Sequence, residues 1–303
     1  MRLLKIIAVI LFVGVAVIAA IFISSLGAAN ANSSENKEFL ITAGESTTDI
    51  SQRLEKVGLV KNGFAFYVYM KLIGGKLLPG TYEFSPSQSA TQIGWLLGSG
   101  RYKTAKITII EGWRVTQMAE YFAEEKKLKN VDDFAQKAVQ YEGYLFPDTY
   151  EIKVDATSDE IIELMRDNFT KKTAGLKLTP ETVILASIVE REAQSEGDRA
   201  PIAGVYSNRI KKGMRLEADP TVQYAKGSWK IITREDYRSV TSPYNTYLND
   251  GFPPSPIASP GLASLKAAAE PEVHEYLYFF HAKGQTYFSK TLAEHSAKVA
   301  QYL

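Results

Sequence analysis

The chain of 303 residues has no cysteine, which excludes disulfides, thiolate metal ligands and cysteine nucleophiles. Histidine is scarce. His274, His281 and His295 all fall in the last 30 residues without ligand spacing, so each reads as structural, and no metal or other cofactor is called for. Charge of one sign is not in excess either: 35 basic against 34 acidic residues leave +1. A nucleic-acid partner would want a clustered basic surplus, so that class of function loses its electrostatic footing. A glycine-rich phosphate loop is also lacking, since Gly74-Gly75 stands at the end of a helical run. There is no nucleophile elbow for a serine hydrolase, and there are no internal repeats.

What the chain does have begins at its amino terminus. Arg2 and Lys5 precede an uncharged apolar run from Ile6 to Ile23, 18 residues, just long enough to cross hydrocarbon as a helix. No further Lys or Arg occurs until Lys37, so the N-terminus is expected in the cytoplasm and the bulk of the chain outside it. A cleaved signal peptide is the competing reading, because Ala29-Asn30-Ala31 resembles an A-x-A site. The apolar run exceeds the usual signal core of roughly 7–15 residues, which favours an uncleaved anchor over 1–26. Residues 27–38 are small and polar and read as a linker. From 39 to 110, strand and helix patterns alternate in short segments, which suits a small α+β subdomain, either a spacer or a ligand-binding module. The remainder, 111–303, is a larger mixed α/β region with long Pro- and Tyr-rich loops. Its start, Val115 to Val139, is expected to be helical with a charged solvent face.

The stretch ILASIVEREAQ carries two glutamates two residues apart at the end of an apolar helix. Thr179 caps it, Pro180 takes its first position and Glu181 its first turn. At about 100° per residue, Ile184, Leu185, Ile188 and Val189 form one stripe, and Glu192 falls within it. Glu190 lands on nearly the opposite face, as an ordinary solvent-side charge beside Arg191. A carboxyl on an apolar face is either paired or held partly protonated, and the second state is what a general acid needs. The plain alternative is that the helix ends there and Glu192 pairs with Arg209 or Arg215. The loop YEGYLFPDTYEI poses a similar choice: its rings either line a sugar groove or plug the core beneath the loop.

Several segments, taken in order, settle the direction. EGYLFPDTY at 142–150, LASIVERE at 185–192, the stretch from Asn208 through GMRLEADPTVQYA, SPYNTY at 242–247, GFPPSPIASPG at 251–261 and LKAAAEP at 265–271 together resemble the YceG-like family, the MltG-type endolytic murein transglycosylases. YFSKTLAEHSAKV continues the match near the end. The sequence departs from the family pattern at Phe252, Ser255 and Ser259, the last removing an amide usual at that position. The resemblance implies a LysM-like subdomain over about 39–110 and a catalytic domain with a lysozyme-like active-site helix.

It also implies a membrane-anchored lytic transglycosylase. Such an enzyme cleaves the MurNAc–GlcNAc β-1,4 bond of nascent peptidoglycan and leaves a 1,6-anhydro end. The catalytic glutamate belongs to the E-K/R-E pair; Glu192 is selected by its helical face, with Glu190 the alternative. Substrate contacts are expected from Glu142, Tyr144, Phe146, Asp219, Thr221, Gln223, Tyr244, Asn245 and Tyr247. Peptidoglycan strands, the cytoplasmic membrane and peptidoglycan synthases are the implied partners, and the catalytic part is expected outside the cytoplasm. Two other readings remain: a hydrolytic muramidase with Asp148 or Asp219 as second carboxylate, and a non-catalytic peptidoglycan-binding scaffold.

Overall fold

A computed structural model describes residues 2–125, 128 and 130–303. The chain divides into two compact units, Met1–Ala105 with Glu151–Asp155, and Lys106–Tyr150 with Ala156–Leu303. The sequence placed a boundary at 110; the units divide inside a strand instead.

The first unit begins with α1, Arg2–Ser25, 24 residues long and apolar enough to cross a membrane, with no buried residue. The polar segment after it is laid against the unit rather than left free. Ala90 donates its N–H to Leu26 O at 2.9 Å, and Asn30 donates to Pro86 O at 2.9 Å. Strand β1 (Lys37–Ile41) pairs antiparallel with β2 (Gly80–Phe84), and between them run α2 (Thr47–Lys56) and α3 (Gly63–Leu72), followed by α4 (Ala90–Ser99). Local chemistry explains these bounds. Ser46, Asn62 and Ser89 each cap a helix by accepting a backbone N–H, and Gly100 closes α4 in the left-handed conformation. Phe39, Ile50, Leu54, Phe66, Tyr82 and Leu97 form the core, each worth about 1.5–3 kcal/mol of burial.

The second unit carries the rest of β3 (Thr104–Thr108), then α5 (Val115–Glu120) and α6 (Phe134–Ala138). The helix expected over Val115–Val139 runs on from α5 only as a π-helical turn, Tyr121–Glu125, and Leu128 and residues 130–133 are not helical before α6 resumes; Tyr121 and Phe122 join an aromatic cluster with Trp113 and Phe134. Lys126, Lys127 and Lys129 of that expected charged face lie outside the described residues. Next come the start of β4 (Thr149–Lys153), whose residues from Glu151 belong to the first unit, and α7 (Ser158–Lys172). A helical core follows: α8 (Pro180–Glu192), α9 (Arg199–Lys211), α10 (Asp219–Ala225), the short α11 (Asp236–Ser239) and α12 (Leu262–Ala269). Asp198 does not cap α9 with its side chain; its carboxylate accepts from Ser195 instead. The hairpin β5 (Tyr278–Ala282) and β6 (Gln285–Ser289), then α13 (Leu292–Tyr302), complete the chain. The whole is a mixed α+β structure.

Candidate active site

Helix α8 begins as its sequence dictates, with Thr179 accepting from Thr182 N and Pro180 in the first turn. From Val183 to Val189 every residue is buried, because α9, α10 and α12 all pack against it. A helix enclosed on every side has no wet face, so the two-faced wheel read from the sequence does not apply. Ser187 shows this: fully buried, it donates to Ile184 O at 2.7 Å and accepts from Ile257 N at 3.0 Å, tying the proline-rich loop to α8.

Glu192 is partly accessible as a residue at the helix end, while its carboxyl sits desolvated. The Tyr206 hydroxyl of α9 donates to its Oε1 at 2.9 Å. Burial pushes the Glu192 pKa up to about 7, and the nearby Asp219 charge adds to the rise; the Tyr206 hydrogen bond and Arg209 oppose it. Neither arginine named as a possible partner pairs with Glu192. Arg209 is buried and donates to Leu277 O and Leu216 O, both at 2.7 Å, with Glu217 at 3.5 Å. Arg215 binds Asp250 at 2.8 Å and Tyr247 O at 3.0 Å. Asp219 opens α10 and accepts from Tyr247 Oη at 2.6 Å and from Tyr237 Oη at 3.5 Å.

Glu190, expected on the solvent side, has a side chain only 7% exposed. Its carboxylate meets Arg199 at 3.3 Å and accepts from Gly261 N at 2.9 Å. A Cβ at position 261 would fall on the Glu111 carboxyl, which would have to swing aside to admit it. Burial raises the Glu111 pKa, with the Glu190 charge second. Both Glu190 oxygens are thus engaged, one by a guanidinium and one by a backbone N–H.

A second desolvated carboxyl is Glu142, 4% exposed, whose two oxygens each lie 3.2 Å from Val115 N at the start of α5. Tyr224 Oη donates to it at 3.4 Å, and the Tyr224 ring tilts against Tyr244, centroids 4.8 Å apart. Burial raises its pKa to about 7. The Tyr244 hydroxyl shares a 2.6 Å hydrogen bond with Ser255. Gly143, at φ +83°, lets Pro256 approach where any side chain would clash.

The structure therefore brings together Glu192, Asp219 and Tyr247, and separately Glu142 and Tyr244 through Tyr224. The other residues singled out in the sequence are engaged elsewhere. Thr221 is fully buried and bonds Ala218 O and Thr246. Asn245 is fully buried, its amide donating to Tyr237 O and Val240 O while its oxygen accepts from Tyr247 N. Gln223 donates to Trp229 O and Lys230 O. Tyr144 is half-buried against Phe169, and Phe146 is buried against the same ring. Asp148 is held by Lys172 at 2.9 Å and Asn168 at 3.1 Å, which keeps its pKa low.

Sequence reasoning missed Tyr206, Tyr224 and Tyr237. Only Tyr206, at a buried position of the next helix, carried a local signal. Among the described residues, no group of three or more histidines, aspartates and glutamates is arranged to hold a metal ion.

Residues 39–301 match the YceG-like family. The chain is 33% identical to the endolytic murein transglycosylase of Bacillus subtilis strain 168, covering 87% of this chain and 84% of the relative. It is 29% identical to the endolytic murein transglycosylase of Streptococcus pneumoniae D39, covering 93% of this chain but 61% of that longer protein. A crystal structure of a yceG-like protein from Listeria monocytogenes superposes with a TM-score of 0.54 at 33% identity, covering 87% of this chain and 99% of that one. With the match running through both compact units, the chain belongs to the YceG-like family.

Proposed function

We propose that the chain is a membrane-anchored endolytic lytic transglycosylase acting on nascent peptidoglycan outside the cytoplasm. The observation that carries this is the Glu192 carboxyl: desolvated, hydrogen-bonded by a phenol, unpaired with any arginine, and poised near pH 7. In its acid form Glu192 delivers its proton to the glycosidic oxygen between MurNAc and GlcNAc as the C1–O bond breaks. The leaving sugar departs with that proton as a hydroxyl. The muramoyl 6-hydroxyl then bonds to C1 and returns its proton to Glu192, so the enzyme ends as it began and no water is consumed. One carboxyl suffices because the nucleophile is part of the substrate, and intramolecular attack is entropically favoured once the sugar is held. Tyr206 supports the transiently formed carboxylate.

Asp219, Tyr247 and Tyr244 are our proposed substrate contacts; Thr221, Gln223 and Asn245 hold the loops that present them. The relatives' names and the order of motifs support the reaction. The lysozyme-like and LysM-like descriptions rest on the resemblance, and the antiparallel strand pair with its helices is compatible with the latter. α1 would hold the protein in the cytoplasmic membrane with its N-terminus inside, within reach of peptidoglycan synthases.

The test is digestion of purified sacculi by wild type and Glu192→Gln. Loss of anhydro-muropeptides in the variant is expected, and undiminished release would remove Glu192 from the mechanism. Asp219, electrostatically close to Glu192, favours one second reading, hydrolysis with Asp219 as base. Mass spectrometry separates the two, because a hydrolytic end is heavier by one water.

A further inference from the structure

One group near the site is unused by that chemistry. The guanidinium carbons of Arg191 and Arg114 lie over the Trp229 ring, 4.2 and 5.0 Å from its centroid. Both side chains are half-buried, and the Nε of each is inaccessible to solvent without a hydrogen-bond partner. Among the described residues neither forms an ion pair: Glu190, whose charge acts on Arg191, is committed to Arg199 and Gly261, and Glu142, on which Arg114 acts, is held by Val115 N and Tyr224. Two like charges sharing one indole, neither met by a carboxylate at ion-pair distance, are unfavourable, and unsatisfied buried donors are rare enough to require a cause. The Trp229 indole is itself positioned: its Nε1–H donates to Gln117 Oε1 at 2.8 Å, and Gln223 donates to its carbonyl at 3.4 Å.

We infer that Arg114 and Arg191, stacked on Trp229, form an anion-binding subsite for a carboxylate of the peptide that branches from the muramoyl residue being cut. This rests on the glycan-cleaving reading above. Placement fits. Arg191 directly precedes Glu192, and the charge of Arg114 acts on Glu142, which Tyr224 of α10 also touches. Asp219, at the other end of α10, acts on Glu192. Seven helical residues span about 10 Å, the length of about three extended peptide residues. A guanidinium fork suits a planar carboxylate, and the indole fixes the fork before the ligand arrives.

The experiment compares kcat/KM on glycan strands from sacculi, which carry no lipid carrier, with the same strands freed of peptide by an amidase. Wild type is expected to favour peptide-bearing strands by about tenfold, the worth of a charge-assisted hydrogen bond. Arg114→Gln and Arg191→Gln should bring the ratio towards one, and Arg191→Lys should retain more of it than Arg191→Gln. Strands whose peptide carboxylates are amidated should lose the preference with wild type. A wild-type ratio near one, or a ratio unchanged in both Gln variants, would each overturn the inference. Failure of wild type to cut either substrate would instead strike the transglycosylase reading.

Discussion

Glu190 and Glu192 leave the last turn of α8 two residues apart and end in opposite electrostatic company. Glu190 meets a guanidinium and a backbone N–H, so its charged form is satisfied where it lies. Glu192 meets a phenol, a neighbouring carboxylate and little solvent, so its neutral form is favoured up to about pH 7. Identical side chains on one helix thus divide into one held by a guanidinium and one left desolvated against a phenol, and the division is made by α9, α10 and the 251–261 loop. α8 supplies only the spacing.

The sharpest way to break the comparison is to neutralise each in turn. Glu192→Gln is expected to lower anhydro-muropeptide release by 10²-fold or more, the usual worth of a positioned acid–base. Thermal melts across pH give the next effect. The folded pKa of Glu192 exceeds the ordinary 4.5, so folding takes up a proton. That contribution, roughly 3 kcal/mol, is fully present below about pH 4.5 and is lost as pH rises through about 7. Stability should therefore fall between pH 5 and pH 8, Glu142 adding its share, and the fall should shrink in Glu192→Gln. Glu190→Gln should invert the pattern, with activity per folded molecule largely kept but stability down by about 2 kcal/mol, because Arg199 is left partly buried without its partner. Smallest is Tyr206→Phe. It removes a donor to the charged form, so the Glu192 pKa rises, and the alkaline limb of the pH–rate profile should move upward by up to about one unit.

Local rules carried much of the fold. Caps at Ser46, Asn62, Ser89 and Thr179, glycines after α2 and α3, and the apolar run of α1 all stand where short-range chemistry puts them. What the sequence could not convey was company acquired across distance. Glu190 reads as a solvent-side charge until Gly261 arrives from 71 residues away and Arg199 from the next helix. Thr221 and Asn245, polar residues in stretches that read as polar loops, read as sugar contacts, yet Thr221 lies buried in α10 and Asn245 in a loop folded inward, and both groups hold nearby backbone. The widening of the helix to a π turn from Tyr121 likewise goes with ring contacts from Phe122 to Tyr121 and to Phe134 that no local pattern announces.

The clasp between the strap after α1 and the first unit has a mechanical consequence. A free tether of twelve residues would reach about 40 Å and let whatever it carries wander on a leash. Pinned at Leu26 and Asn30, the strap gives up that slack and holds the first unit close against the end of α1, so that a membrane-embedded α1 would carry the unit with its own tilt, like the head of a nail.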